Sequence, residues 1–121
     1  MRNFSVLVLL IWVASCNVKQ EPIVVSAEEL HGAVDKVTDI MVHDIFSPPV
    51  ASRIYAYPNI AAFEIMVLNN EKYNSLSGQV RELNPIPKPE AGKEINYPLA
   101  ALIAHMDVSR RLIFTEEKIV V

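Results

Sequence analysis

The sequence predicts an all-α fold, a helical bundle segment with three main helices and the start of a fourth. Apolar residues recur at helical spacing in three stretches, and a residue that caps helices precedes each stretch. No stretch alternates apolar and polar residues in the manner of a half-buried strand. These observations place the helices at about 27–45, 48–69 and 97–114.

The first helix is expected to begin after Ser26. Glu29 follows at the spacing of a capping box, in which each of the two residues satisfies a backbone N–H of the other. Apolar residues mark its predicted inward face: Leu30, Ala33, Val34, Val37, Ile40, Met41 and Ile45.

Two consecutive prolines predict a corner between the first and second helices. Pro48 and Pro49 disfavour a helical conformation of the residues before them, and Ser47 is a suitable N-cap for the second helix. Pro58 should bend the second helix, because it lacks an N–H and its ring collides with the carbonyl of Ile54. The predicted apolar stripe of this helix comprises Val50, Ile54, Tyr57, Ala61, Ile65 and Leu68.

The third helix is expected to be capped by Asn96, and its predicted inward face carries Leu99, Leu102, Ile103, Met106, Leu112 and Ile113. Thr115 is a suitable cap for a fourth helix, with Glu116 and Glu117 in its first turn. Because this helix would be cut off at Val121, we expect the bundle to be incomplete and the chain to be part of a longer protein. The alternative is a natural three-helix domain.

The N-terminus has the pattern of a bacterial lipoprotein signal peptide over residues 1–15. The apolar run over 4–13 is shorter than the roughly 20 residues that a membrane-spanning helix needs. The sequence "VASC" resembles a lipobox, which predicts acylation of Cys16, a tether over 16–25 and a lipid-anchored position in the cell envelope, on the periplasmic or outer-membrane face. Ordinary secretion and an uncleaved anchor are the alternatives.

Composition excludes several classes of function. Loss of Arg2 with the signal peptide changes the net charge from −3 to −4, so the chain has no basic footprint for nucleic acid. Only three glycines occur, and none forms a phosphate-binding loop. The acidic balance also gives no basic patch for anionic lipid, so membrane attachment would depend on the acyl chains of Cys16.

Candidate acid/base and metal-binding residues show no catalytic arrangement. The three histidines, His31, His43 and His105, have no partner at metal-ligand spacing, so neither a metal site nor a catalytic residue is predicted. An adjacent pair, His43 and Asp44, is interpreted as a helix end.

Glu64 stands among apolar residues, and a buried carboxylate needs a partner. Arg53, about three turns earlier, is the expected partner in a structural ion pair, with Arg110 and Arg111 as alternatives. Exposure of Glu64 is a second interpretation, and a catalytic role is a third. A weaker hypothesis is that the three arginines together hold a phosphate.

Several stretches carry a family resemblance over most of residues 30–118. "TDIMVHDIFSPPVASRIYAYPNIAAFEI", "YNSLSGQV", "NPIPKP", "YPLAAL" and "FTEEKI" resemble the N-terminal region of vanadium-dependent haloperoxidase-like lipoproteins of Bacteroidetes. These belong to the type 2 phosphatidic acid phosphatase superfamily. The resemblance implies an α-helical enzyme that binds phosphate or vanadate through a lysine, arginines and histidines.

The superfamily's catalytic signatures are missing from this chain. Neither Arg-Pro nor Pro-Ser-Gly-His occurs, and Ser109-Arg110 has no histidine downstream, so no family catalytic residue can be placed here. Residues 26–121 are therefore expected to be the N-terminal scaffold of a larger haloperoxidase-like or phosphatase-like domain, inactive alone, with the missing C-terminal part as partner. The alternative is a stand-alone lipid-anchored helical binding module of the envelope.

Overall fold

The computed structural model describes Glu21 and residues 23–119. The predicted signal peptide, Cys16 and most of the predicted tether lie outside these residues. The described elements are three α-helices, α1 (Ala27–His43), α2 (Pro48–Val67) and α3 (Tyr97–Arg110), and a 3-10 helix (Glu116–Ile119). An isolated β-bridge, Ser77 to Val80, is the only β pairing among the described residues, and the predicted all-α fold is confirmed. Within the same residues, no helix is both long and apolar enough to span a bilayer.

The predicted capping box begins α1. The backbone N–H of Ser26 donates to Glu29 Oε2 at 2.8 Å, and Ser26 Oγ accepts from the backbone of Glu28 at 3.2 Å. The helix ends two residues earlier than predicted, because Ile45 has a φ of 55° and leaves the helical path. The backbone N–H of Ile45 bonds the carbonyl of Val42, and the next N–H, of Phe46, bonds the carbonyl of Met41. This pair of bonds is a Schellman motif.

The corner begins α2 as predicted, with Ser47 in the N-cap position and both prolines in the first turn. The hydroxyl of Ser47 makes no capping bond. Pro48 and Pro49 have no N–H to be capped, and the next two N–H groups, of Val50 and Ala51, donate to the carbonyl of Ser47. The prolines therefore make a side-chain cap unnecessary.

Pro58 lies inside α2 and does not interrupt it, so the single second helix is confirmed. The side-chain amide of Asn59 donates to the carbonyl of Tyr55 at 2.7 Å, next to the point where Pro58 lacks an N–H. The buried residues of α2 are Ile54, Pro58, Ala62 and Glu64. The predicted stripe is confirmed at Ile54, which is 2% exposed, and wrong at Tyr57 and Val50, which are 48% and 38% exposed.

α3 is capped as predicted, since Asn96 Oδ1 accepts from the backbone of Leu99 at 3.1 Å. The same side chain donates to the carbonyl of Ile23 at 2.6 Å and so fixes the segment that leads into α1. The buried residues of α3 are Ala101, His105, Met106 and Ser109. Ile103, predicted to face inward, is 59% exposed, and that prediction is wrong.

The core lies where α1 meets α3 and the C-terminal segment, while α2 and α3 form the most extensive helix pair. The buried hydrophobic residues of the core are Ala33, Val37, Ile40, Met41, Ile54, Met106, Ile113 and Ile119. Within the described residues the predicted start of a fourth helix is present after Thr115, as a single 3-10 turn and not as an α-helix. That turn brings Ile119 into the core at 3% exposure.

Candidate functional site

Glu64 is buried, at 3% exposure, and it anchors the loop that follows α2. One carboxylate oxygen accepts from Ser75 Oγ at 2.6 Å, and the other accepts from the backbone N–H of Leu76 at 2.7 Å. The predicted ion pair is wrong, because no arginine lies within ion-pair distance of this carboxylate among the described residues. Hydrogen bonds to a hydroxyl and a backbone amide satisfy the buried group instead.

Asp44 is a second anchoring carboxylate, which connects the end of α1 to the C-terminal segment. It accepts from the backbone N–H groups of Phe114 and Thr115, both at 3.3 Å, and from the hydroxyl of Thr115. His43 Nδ1 lies 3.0 Å from Asp44 Oδ1, the oxygen that also accepts from the hydroxyl of Thr115. These bonds, that of Thr115 Oγ1 first, lower the pKa of the Asp44 carboxyl from 3.8 to about 2.

The interpretation of His43-Asp44 as a helix end is correct, but it missed the role of the aspartate. Asp44 is the C-cap residue of α1, and its partners lie about 70 residues further along the chain. No local pattern in the sequence marks such a distant pairing. The side chain of His43 is 57% exposed, whereas that of Asp44 is 5% exposed, so the carboxylate is the structural member of the pair.

His105 is the one buried histidine among the described residues, at 2% exposure on α3. Its Nδ1 has no hydrogen-bond partner among them. Burial lowers the pKa of His105 below its usual value of 6.5, and no charged group contributes to the shift. The imidazole is therefore held neutral inside the bundle.

The described residues do not suit a vanadate or phosphate ion, which needs several cationic donors that converge on one point. Arg111 Nε donates to Asp107 at 3.2 Å on the surface of α3, as expected for residues four apart. Arg53 and Arg110 are exposed on different helices. No cationic side chain contributes to the lowered pKa of His105. Nor does any group of three or more His, Cys, Asp or Glu in the described part of the chain form a metal-binding set.

An apolar groove of about 430 Å³ runs between the start of α1, the second half of α2 and the start of α3. Its walls are almost entirely apolar, and no charged side chain lines it. The lining residues are Val25, Ser26, Ala27, Leu30, Asn59, Ala62, Phe63, Met66, Pro98, Ala101 and Leu102. Such a surface can pack against an apolar chain, but it offers no acid/base chemistry.

The helix arrangement matches part of a solved structure. Over the matched part the chain has a haloperoxidase-like fold, which confirms the resemblance to vanadium-dependent haloperoxidases, whereas the lipoprotein part of that resemblance stays a prediction. The particular match is the crystal structure of the first bacterial vanadium-dependent iodoperoxidase, with 58% sequence identity and a TM-score of 0.81. The match covers 84% of this chain and 24% of that one, so the chain spans about a quarter of the iodoperoxidase's length. No protein-family model matches the chain, and no curated protein does.

Proposed function

We propose that this chain is the N-terminal scaffold portion of a vanadium haloperoxidase-like enzyme, whose oxyanion-binding residues lie outside the sequence. The observation that carries this proposal is the 58% identity to an iodoperoxidase over only 24% of that enzyme's length. At that identity the two segments should pack in the same way. The missing oxyanion signatures then belong to the remaining three quarters. The match favours peroxidase over acid phosphatase chemistry.

The anchoring carboxylates support a scaffold role. Glu64 joins α2 to the loop that follows it, and Asp44 joins the end of α1 to the C-terminal segment, in each case through hydrogen bonds that the carboxylate accepts. The Ser47-Pro48-Pro49 corner sets where α2 starts. These residues hold the shape of the bundle and perform no chemical step.

A segment exchange tests the proposal. The matching segment of the iodoperoxidase is replaced by the corresponding segment of this chain, and iodide oxidation by hydrogen peroxide is measured with vanadate present. We expect the chimera to oxidise iodide, and we expect this chain alone to give no turnover and no vanadate binding by vanadium NMR. An iodoperoxidase that lacks the segment is the control.

Two results would contradict the proposal. Turnover by the purified chain would show that it contains a complete site. A chimera that does not fold, beside an isolated chain that unfolds cooperatively, would favour the stand-alone envelope module.

We further propose that Cys16 is acylated and anchors the protein to a membrane of the cell envelope. The lipobox-like "VASC" supports this, and the chain has no other cysteine. The Cys16→Ser variant should move from the membrane fraction to the soluble fraction and lose incorporation of labelled palmitate. Unchanged fractionation and labelling of this variant would exclude the anchor.

A further inference from the structure

An exposed apolar surface lies at the end of α1, and we call it the corner patch. It consists of Val42, Ile45, Phe46 and Phe114. Val42 is 74% exposed, Ile45 is 88% exposed and Phe114 is 80% exposed. The rings of Phe46 and Phe114 stack with their centroids 4.8 Å apart, so the C-terminal segment continues the surface of α1.

A shallow groove of about 300 Å³ opens beside the corner patch. Its walls join the end of α1 to the first turns of α2, and they comprise Thr38, Met41, Val42, Ile45, Phe46, Ala51 and Tyr55. Asp44, the carboxylate nearest to these residues in the chain, already accepts hydrogen bonds from Phe114 and Thr115. The patch therefore presents apolar surface and suits an apolar protein surface better than a charged ligand.

The backbone of Ile45 is strained, and within the described residues the strain is offset by the two Schellman hydrogen bonds of Ile45 and Phe46, not by burial of the Ile45 side chain. Its φ of 55° lies in the left-handed region, where glycine is usual and a β-branched residue is an outlier. A side chain that is 88% exposed gains almost nothing from burial here. An isoleucine in this position is explained if its side chain is buried against another surface.

We infer that the corner patch is the face on which the remaining part of a vanadium haloperoxidase-like domain packs. This inference rests on the proposed function. Two observations identify the occupant as that remaining part. The chain spans 24% of the matched iodoperoxidase, so about three quarters of such an enzyme lies outside the matched segment and is available to pack against it. The backbone N–H groups of Phe114 and Thr115 also donate to Asp44 and so hold the segment that follows α3 against this patch.

Two variants separate a docking role from a role within the bundle. Ile45→Asn keeps a residue that tolerates the left-handed conformation but removes the apolar side chain. Val42→Ser removes an exposed apolar side chain without any change of backbone strain. Ile103→Ser, at an exposed position of α3 that is 59% accessible, is the matched control.

Each variant is made in the isolated chain and in the iodoperoxidase chimera, and thermal unfolding is followed by circular dichroism. In the isolated chain, Ile45→Asn should raise the Tm because it relieves strain, and Val42→Ser should have little effect. In the chimera, both should lower the Tm by about 2 °C or more, whereas Ile103→Ser should not. A Tm that rises in the isolated chain and falls in the chimera, both on Ile45→Asn, would indicate docking.

Three outcomes would overturn the inference. The first is a folded, active chimera in which neither patch variant lowers the Tm, and this outcome leaves the proposed function standing. The second is an isolated chain that sediments as a dimer and becomes monomeric with either variant, since a second copy would then occupy the patch. The third is a chimera that fails to fold, which removes the proposed function and the inference together.

Discussion

At the scale of single residues, the polar groups inside the bundle are the most informative. His105 and Ser109 are the most buried polar residues described, and Glu64 is nearly as buried. Ser109 donates to the carbonyl of His105 at 2.8 Å, and Glu64 accepts two bonds. His105 alone retains an unpaired ring nitrogen. A buried polar atom without a partner destabilises the fold, and protonation of this ring would increase that cost.

His105 should make the stability of the chain depend on pH below neutrality. Its pKa is lowered in the folded state, so the unfolded chain binds the proton more tightly. The free energy of unfolding should therefore fall as the pH drops below 6.5, and it should continue to fall until the folded-state pKa is passed. Urea unfolding at pH 7.5, 6.5 and 5.5 measures this, and His105→Leu should abolish the slope.

His31, which is exposed on α1, provides the control for this prediction. His31→Gln should retain the wild-type pH dependence. An equal slope in His105→Leu and wild type would show that another group is responsible. Asp44 affects stability in a separate, lower pH range. Because its pKa is lowered in the folded state, the stability that it contributes is lost only as the pH falls from about 3.8 to about 2.

At the scale of the helices, the starts and the buried face of α1 were predictable, whereas the buried faces of α2 and α3 were predicted only in part. Ser26, the Pro48-Pro49 pair and Asn96 mark helix starts through bonds to residues a few positions away, or through an absent N–H. The buried faces of α2 and α3 contain proline, glutamate, histidine and serine, which hydropathy patterns do not select. Both helices are rich in apolar residues on several sides, so periodicity alone left their orientation open.

The loop after α2 should depend on Glu64 for its position. Glu64→Ala removes the acceptor for Ser75 Oγ and for the N–H of Leu76, so it should lower the free energy of unfolding by about 2–3 kcal/mol. Amide exchange at Leu76 should speed up in the same variant. Hydrogen exchange and urea unfolding together measure both effects.

Glu71→Ala is the comparison variant, because this glutamate lies exposed in the same loop. It should change the free energy of unfolding by less than about 0.5 kcal/mol. Slow exchange at Leu76 despite loss of the Glu64 carboxylate would mean that other contacts hold the loop.

At the scale of the whole molecule, one small core supports the described bundle. Eight buried hydrophobic residues, from the three helices, the segment after α3 and the 3-10 turn, form this core. Domains of this size retain only about 5–15 kcal/mol of net stability. Exposed apolar residues such as Ile45 and Phe114 lie outside this core, and their burial against the remainder of a larger domain would add stability that the isolated chain lacks.

Ile54 is the residue on which this small core should depend most, since it is among the largest side chains that are fully buried. Ile54→Ala should lower the free energy of unfolding by about 2–5 kcal/mol, enough to unfold much of the isolated chain. Circular dichroism during thermal unfolding measures the loss. Ile103→Ala, the same change at an exposed site, should stay within about 0.5 kcal/mol of wild type.

The sequence by itself determined the all-α fold, the helix starts, the corner at Ser47-Pro48-Pro49 and the resemblance to vanadium-dependent haloperoxidases. These features depend on residues close together in the chain or on a long matching stretch. Only the tertiary structure decided the partners of Glu64, the anchoring role of Asp44, the burial of His105 and the left-handed turn at Ile45. The physical reason is that hydrogen bonds across 11 to 71 residues, and the choice of which helix face is buried, depend on how the elements pack.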